Sequence, residues 1–239
     1  LSIVTCIILK PHIISSNYVN YQEINYQEVN NYSSNMMYIT IINLILIWGT
    51  TLILGIFNAS EEVALYSVSL RISTFSILLI AMPIYVIFEP IISELYAQGK
   101  QSLLIRTYRQ TTNILLISMI LITMITVVFS EYILILFGTD YLSSQILLFV
   151  IIFGQLFGIT AGPAENIMVM IGRQKTSFYI NLIISIAILL LDLFFIPIYG
   201  VLAAAIFTAI GFAAKGLFSL LYISIQDKIT PFNSTYWLI

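Results

Sequence analysis

Charge is what this sequence has least of. Only 8% of its 239 residues are Asp, Glu, Lys or Arg, 9 basic against 11 acidic, while 60% are hydrophobic and the mean hydropathy is +1.02. A soluble domain of this length needs far more charge to solvate its surface, which excludes a water-soluble globule. A formal net charge of −2 offers no electrostatic footprint for nucleic acid. Cysteine and histidine are nearly missing too, with Cys6 and His12 the single examples. An intrachain disulfide is therefore impossible, and a Cys/His metal site or a Ser/His/Asp triad lacks its residues. We expect no metal, no cofactor and no enzymatic activity. A membrane glycosyltransferase or polymerase would need a substantial extramembrane loop, and the longest outer loop, around 131–144, contributes only Glu131 and Asp140.

What the sequence has is long apolar runs. Six of them, Met37–Phe57, Tyr66–Leu95, Thr111–Ser130, Tyr141–Ile171, Thr176–Ile196 and Gly200–Ile225, each approach the roughly 20 residues that cross hydrocarbon. The second and fourth are longer than one span requires, which implies tilt, kinks or extension beyond the bilayer. Both contain proline, at Pro83 and Pro90 and at Pro163. Residues 1–9 are apolar but lack a basic n-region and a small-residue cleavage site, so we read them as the end of a preceding membrane helix rather than a signal peptide. Residues 10–36 form a polar linker in which Asn-Tyr-Gln-Glu-Ile at 20–24 is followed by Asn-Tyr-Gln-Glu-Val at 25–29. A period of five matches neither helix nor strand, so this stretch is assigned as loop or weak surface helix. The six-helix bundle then covers 37–226, with a tail at 227–239. The fold class is all-α integral membrane.

Loop charge alternates along the chain. Lys10, then Lys100, Arg106 and Arg109, then Arg173 and Lys175, then Lys228 fall on one side, whereas Glu61, Glu62, Glu131 and Asp140 fall on the other. By the positive-inside rule the linker and C-terminus are cytoplasmic. Tyr38, Tyr66, Tyr96, Tyr108, Tyr132, Tyr141, Tyr179, Tyr199 and Tyr222 lie near the expected boundaries, as an interfacial belt would. Gly154, Gly158 and Gly162 recur every four residues, so they share a helix face and admit a neighbouring backbone. Gly162-Pro163 should break that helix, freeing backbone groups that lipid tolerates only beside protein or a water-filled cavity.

A few charges fall inside the spans: Arg71, Glu89, Glu165, Asp192 and Lys215. Ionisable groups at such depths usually face a bundle interior or an aqueous cavity. At about 1.5 Å of rise per residue, Arg71 and Asp192 both lie roughly 7–8 Å below the outer boundary. Glu165 and Lys215 lie roughly 10 and 15 Å above the inner one. Depth thus suggests an outer pair, Arg71 with Asp192, and an inner pair, Lys215 with Glu165, with Glu89 at similar inner depth. Snorkelling to headgroups is the plainer reading of Arg71 and Glu89, as is a packed, protonated Asp192. Ser67, Ser69, Ser73, Thr74, Asn166 and Asn181 are candidate hydrogen-bonding groups along the spans, although most membrane Ser and Thr bond within or between helices. Asn181, with the five charged residues, completes the candidate pathway, and Gly162, Pro163, Pro83 and Pro90 are the candidate breaks or hinges.

Gly162-Pro163, Gly172-Arg173, Asn181, Asp192, Ile196-Pro197, Gly200 and Ala203-Ala204-Ala205 resemble the C-terminal region of polysaccharide biosynthesis flippases. These are O-antigen and teichuronic-acid type exporters of the multidrug/oligosaccharidyl-lipid/polysaccharide superfamily. Leu54-Gly55, Glu61 through Tyr66, Arg71, Pro90 and Ser93 through Tyr96 resemble the start of the same lobe, so the likeness spans about 40–225. It implies a two-lobed, alternating-access transporter of the bacterial inner membrane, with this chain as the C-terminal lobe. The implied cargo is a polyprenyl-pyrophosphate-linked oligosaccharide, an O-antigen, lipopolysaccharide or capsular repeat unit, moved to the outer leaflet at the expense of an ion gradient. Implied partners are the bilayer, the lipid-linked substrate, and an N-terminal lobe or a second copy. The sequence departs from that pattern at Thr50, where such proteins often carry Asp, at Ala64 and Ala203, where they carry Gly, and at Asp192, where they carry Asn. A drug/cation antiporter of the same superfamily, or a truncated inactive remnant, are the other readings. The alternation of loop charge predicts that thiols introduced by Ser60→Cys and Gln174→Cys, in a Cys6→Ser background, react with an impermeant reagent from opposite faces of the membrane. Labelling from one face would overturn the topology.

Overall fold

The structure is a computed structural model that describes Ser34, Met37, Thr40, Ile41, Leu44 and residues 48–231. The expected preceding-helix end at 1–9 and almost all of the linker at 10–36 lie outside the described residues. Among the described residues every regular element is helical. The chain runs through α1 (Trp48–Phe57), α2 (Ser60–Ala97), α3 (Gln101–Val128), α4 (Ser130–Ile135), a 3-10 turn (Thr139–Ser144), α5 (Gln145–Thr160), α6 (Ala164–Met170), α7 (Gln174–Tyr199) and α8 (Val201–Gln226). Five stretches are long and apolar enough to cross a membrane: α2, α3, the 3-10 turn with α5, α7 and α8. Of the first apolar segment, 37–57, the continuous described part is α1, which by itself is shorter than a span.

The chemistry of the turns sets where helices begin and end. Asn58 Nδ2 donates to Glu62 Oε2 (2.7 Å) at the start of α2, where Glu61 and Glu62 also complement the helix dipole. The long apolar segments behave as spans because they are apolar on more than one face. On α3, Leu104, Tyr108, Leu115 and Met119 are buried, while Ile117, Leu121 and Val128 point outward from the bundle. Outward apolar side chains of this kind suit hydrocarbon. The break expected at Pro83 and Pro90 does not occur, since α2 continues through both. Both prolines are on the exposed side, where a missing N–H leaves a carbonyl that local helix adjustment accommodates. The break at Gly162-Pro163 does occur, dividing the fourth segment into α5 and α6.

The two larger apolar cores among the described residues lie toward the two ends of the bundle. One joins Leu54, Tyr66, Leu147, Ile151, Ile196 and Ala203 to Ala205 at the end with acidic loops. The other joins Phe88, Ile92, Leu104, Tyr108, Ile167 and Ile223 at the end with basic loops, and Ile229 after α8 packs into it. The basic loops converge there as the charge alternation requires. Arg173 pairs with Asp227 at 3.1 Å, Gln101 Nε2 donates to the Asp227 carbonyl (3.2 Å), and Arg109 Nε donates to the Pro231 carbonyl (3.0 Å). Between the two ends, α5 and α8 touch backbone to backbone. A Cβ at Gly158 would lie 2.6 Å from the Phe212 carbonyl oxygen, and methyls at Gly154 and Gly216 would overlap Ala209 and the Gly158 carbonyl. In lipid such close van der Waals packing holds helices together without help from the hydrophobic effect.

The tyrosine belt is only partly realised. Tyr96, Tyr132, Tyr179 and Tyr199 are exposed, but Tyr66 and Tyr108 are fully buried. Position near a span end did not distinguish a ring facing lipid from one facing the bundle, because the helix phase decides that. Gly216→Val should cost about 1–3 kcal/mol through overpacking against the Gly158 backbone. Gly55→Ala, whose added methyl would meet only Val63 at 3.9 Å, should leave stability unchanged. Denaturant titration in mixed micelles measures both, and equal effects would show that the α5–α8 contact is not tight.

Candidate functional site

Toward the acidic end, four helices place oxygen atoms around Asp192. Thr50 Oγ1 of α1 donates to Asp192 Oδ2 of α7 at 2.6 Å. Tyr66 of α2 shares a 2.7 Å bond with Thr208 of α8 and lies close enough to interact with both Thr50 and Asp192. Asp192 is completely buried, and its Oδ1 has no partner among the described residues. The result is a carboxylate among hydroxyls, with no nitrogen ligand. Its donor set suits a proton or a small monovalent cation, since hard cations prefer oxygen. Among the described residues no cluster of three or more His, Cys, Asp and Glu forms.

Toward the basic end, a second polar cluster surrounds α6. Asn166 Nδ2 donates to Glu89 Oε1 of α2 (2.5 Å). Glu165 Oε1 accepts from Asn181 Nδ2 (2.7 Å) and Ser177 Oγ (3.4 Å) of α7. Tyr85 senses both carboxylates, and Glu165 acts electrostatically on Lys215 of α8. The broken backbone is repaired beside them: Tyr108 donates to the Ala161 carbonyl at 2.6 Å. Gly162 adopts φ +65° with Thr112 pressed against the place a Cβ would occupy, so this turn admits only glycine. The short α6 is thereby held to α2 and α7 through adjacent residues of one turn.

Between α1, α2 and α3 lies a cavity of about 730 Å³ whose walls include Trp48, Thr51, Arg71, Phe75, Ile125 and Phe137. Arg71 is exposed into it and forms no ion pair among the described residues. The expected outer pair of Arg71 with Asp192 is therefore not formed. Both residues sit at a similar depth, but Tyr66 and Arg71 are five positions apart on α2, about 140° around the helix. Tyr66 turns toward Asp192, so Arg71 must turn toward the cavity. The inner residues Glu165 and Lys215 do share one region, although Glu165 takes its hydrogen bonds from Asn181 and Ser177. Of the candidate hydrogen-bonding groups, Ser67 and Thr74 reach the cavity. Ser69 instead donates to the Ser144 carbonyl (3.2 Å) and Ser73 to the Leu70 carbonyl (3.0 Å).

Sequence reasoning did not assign Thr50, Tyr66 and Thr208 to the Asp192 site. The available signal was phase: Asp192 and Ile188, four residues apart, share the buried face of α7, and a carboxylate on a buried face requires hydroxyl or amide donors. Tyr108→Phe should leave the Ala161 carbonyl buried and unpaired, lowering stability by about 1–3 kcal/mol. Tyr132→Phe, at 69% exposure, should change it within error. Thermal unfolding in detergent distinguishes them, and matching midpoints would refute the proposed repair of the helix break.

Comparison with known proteins agrees with this architecture. No curated protein and no solved structure matches the chain. The MatE family model matches residues 36–194, which takes in α1 through α6 and most of α7, including Arg71, Glu89, Glu165 and Asp192. A buried carboxylate at Asp192, half-buried ones at Glu89 and Glu165, an arginine in a cavity between spans and a broken span are features of a transport protein rather than of a passive anchor. The chain belongs to the MatE family of membrane transporters.

Proposed function

We propose that the chain is one lobe of a flippase that moves a polyprenyl-pyrophosphate-linked oligosaccharide across the bilayer, driven by an ion gradient. The observation that carries this reading is Arg71 in its apolar cavity. The cargo has an anionic pyrophosphate, a polar sugar and a long hydrocarbon tail. A guanidinium binds phosphate oxygens through paired N–H groups, and the walls of Trp48, Phe75, Ile125 and Phe137 suit the first part of the tail. Ser67 and Thr74 supply hydroxyls in the same space. The Asp192 site supplies a place for the driving ion, separate from Arg71, so that cargo and ion do not neutralise one another. The other lobe of an alternating-access pair, whether an N-terminal half or a second copy, would close the cavity. Linker and C-terminus on the cytoplasmic side follow from the loop charges.

A drug/cation antiporter is the second reading, favoured by the three carboxylates Glu89, Glu165 and Asp192 that face the bundle. The two separate on one substitution. Arg71→Gln should reduce movement of a fluorescent polyprenyl-pyrophosphate sugar in proteoliposomes by at least about tenfold, the worth of one charge-assisted hydrogen bond. Arg71→Lys should retain part of the rate. Undiminished lipid movement by Arg71→Gln would set the flippase reading aside. Asp192→Asn tests the coupling: transport that no longer responds to the imposed ion gradient supports it, and an unchanged response removes Asp192 from that role.

A further inference from the structure

Ser67, Arg71 and Thr74 follow one another at four- and three-residue spacing on α2, so they stack on one helix face. All three line the same cavity, and the two hydroxyls flank the guanidinium, each about one turn away. A hydroxyl inside a helix ordinarily gives its proton to the carbonyl one turn back. For Thr74 that carbonyl belongs to Leu70, and it is already engaged. It accepts from Ser73 Oγ at 3.0 Å and, because α2 is unbroken here, from the Thr74 N–H. Both lone pairs of that oxygen are thereby taken. From α5, Gln155 Nε2 donates to Thr74 Oγ1 at 3.4 Å. Gln155 is 4% exposed and its Oε1 has no partner among the described residues, so Thr74 is the group its amide engages. Among the described residues Thr74 Oγ1 makes no bond to a carbonyl. An oxygen that accepts from Gln155 turns its own proton away from α5, and on that side lies the cavity with Arg71.

We propose that Thr74 is a second cargo-binding residue, whose hydroxyl donates to the anion held by Arg71, and that Gln155 is the positioning residue that fixes it as a donor. This deepens the flippase reading and rests on it. A guanidinium supplies charge and paired N–H groups from one side chain, whereas a pyrophosphate spreads its acceptor oxygens over two phosphorus centres. A hydroxyl one turn along the same face reaches oxygens that the guanidinium leaves unpaired. A cation in this cavity would meet the guanidinium and a hydroxyl proton, so the arrangement selects an anion. The apolar walls strengthen the bond, since water there competes less for the donor.

The concentration dependence of lipid movement in proteoliposomes, read with a fluorescent polyprenyl-pyrophosphate sugar, tests this. Thr74→Val keeps the shape and removes the donor, and should raise KM about tenfold with the maximal rate little changed. Thr74→Ser should keep the KM of the unaltered protein. Gln155→Leu should raise KM by itself but not in a Thr74→Val background, because a residue that acts through Thr74 then has nothing to position. Unchanged KM in Thr74→Val, with Arg71→Gln impaired, would overturn the Thr74 assignment and leave the flippase reading standing. Full movement by Arg71→Gln would remove that reading itself. Equal effects of Gln155→Leu in both backgrounds would overturn the positioning role. Should Thr74→Val fail to accumulate in the membrane, Thr74→Cys in a Cys6→Ser background decides. Added polyprenyl pyrophosphate should slow modification of that thiol by a methanethiosulfonate reagent, and an unchanged rate contradicts the contact.

Discussion

Hydrocarbon offers no hydrogen bonds, so every polar group carried into the span must be satisfied by protein or by water held within it. That constraint explains most of what is specific about this bundle. The Gly162-Pro163 break exposes a carbonyl, and Tyr108 is spent on covering it. Asn166 covers Glu89, Asn181 and Ser177 cover Glu165, and Thr50 covers one oxygen of Asp192. Each partner comes from a different helix, so the polar contacts fix how the helices sit relative to one another as well as neutralising a cost.

The tight contact of α5 with α8 makes this arrangement possible. Glycines at 154, 158 and 216 remove side chains from the seam, leaving the polar faces of α7 and α8 free to turn toward Glu165 on one level and Asp192 on another. Van der Waals contact between backbones is strong where no side chain intervenes, and it does not compete with lipid for polar partners. The two clusters lie on different levels beside this contact, one at Asp192 and Thr208 and the other around Glu165.

Much of this was legible in the sequence because the relevant signals are one-dimensional. Apolar run length located the spans, loop charge grouped the basic turns that converge around Asp227, and glycine spacing marked the α5–α8 contact. Depth was readable from residue counts, which brought Glu165 and Lys215 to one region. Azimuth was not. Arg71 and Asp192 share a depth but face different neighbours, and Tyr66 and Tyr108 sit near span ends yet point inward. Such errors come from treating a helix as a line rather than a cylinder. Pro83 and Pro90 misled for another reason: proline removes a donor, but on an exposed face the helix passes through it.

The central claim is that polar residues of the spans face a protein interior while the rest of each helix faces lipid. A nitroxide scan along α7 by electron paramagnetic resonance, in reconstituted bilayers, reads this most directly through collision with dissolved oxygen. The account predicts a helical period, with oxygen accessibility highest at Ile183, Leu190 and Phe194 and lowest at Asn181, Ile188 and Asp192. Accessibility that is uniform along α7, or highest at Asn181 and Asp192, would contradict it.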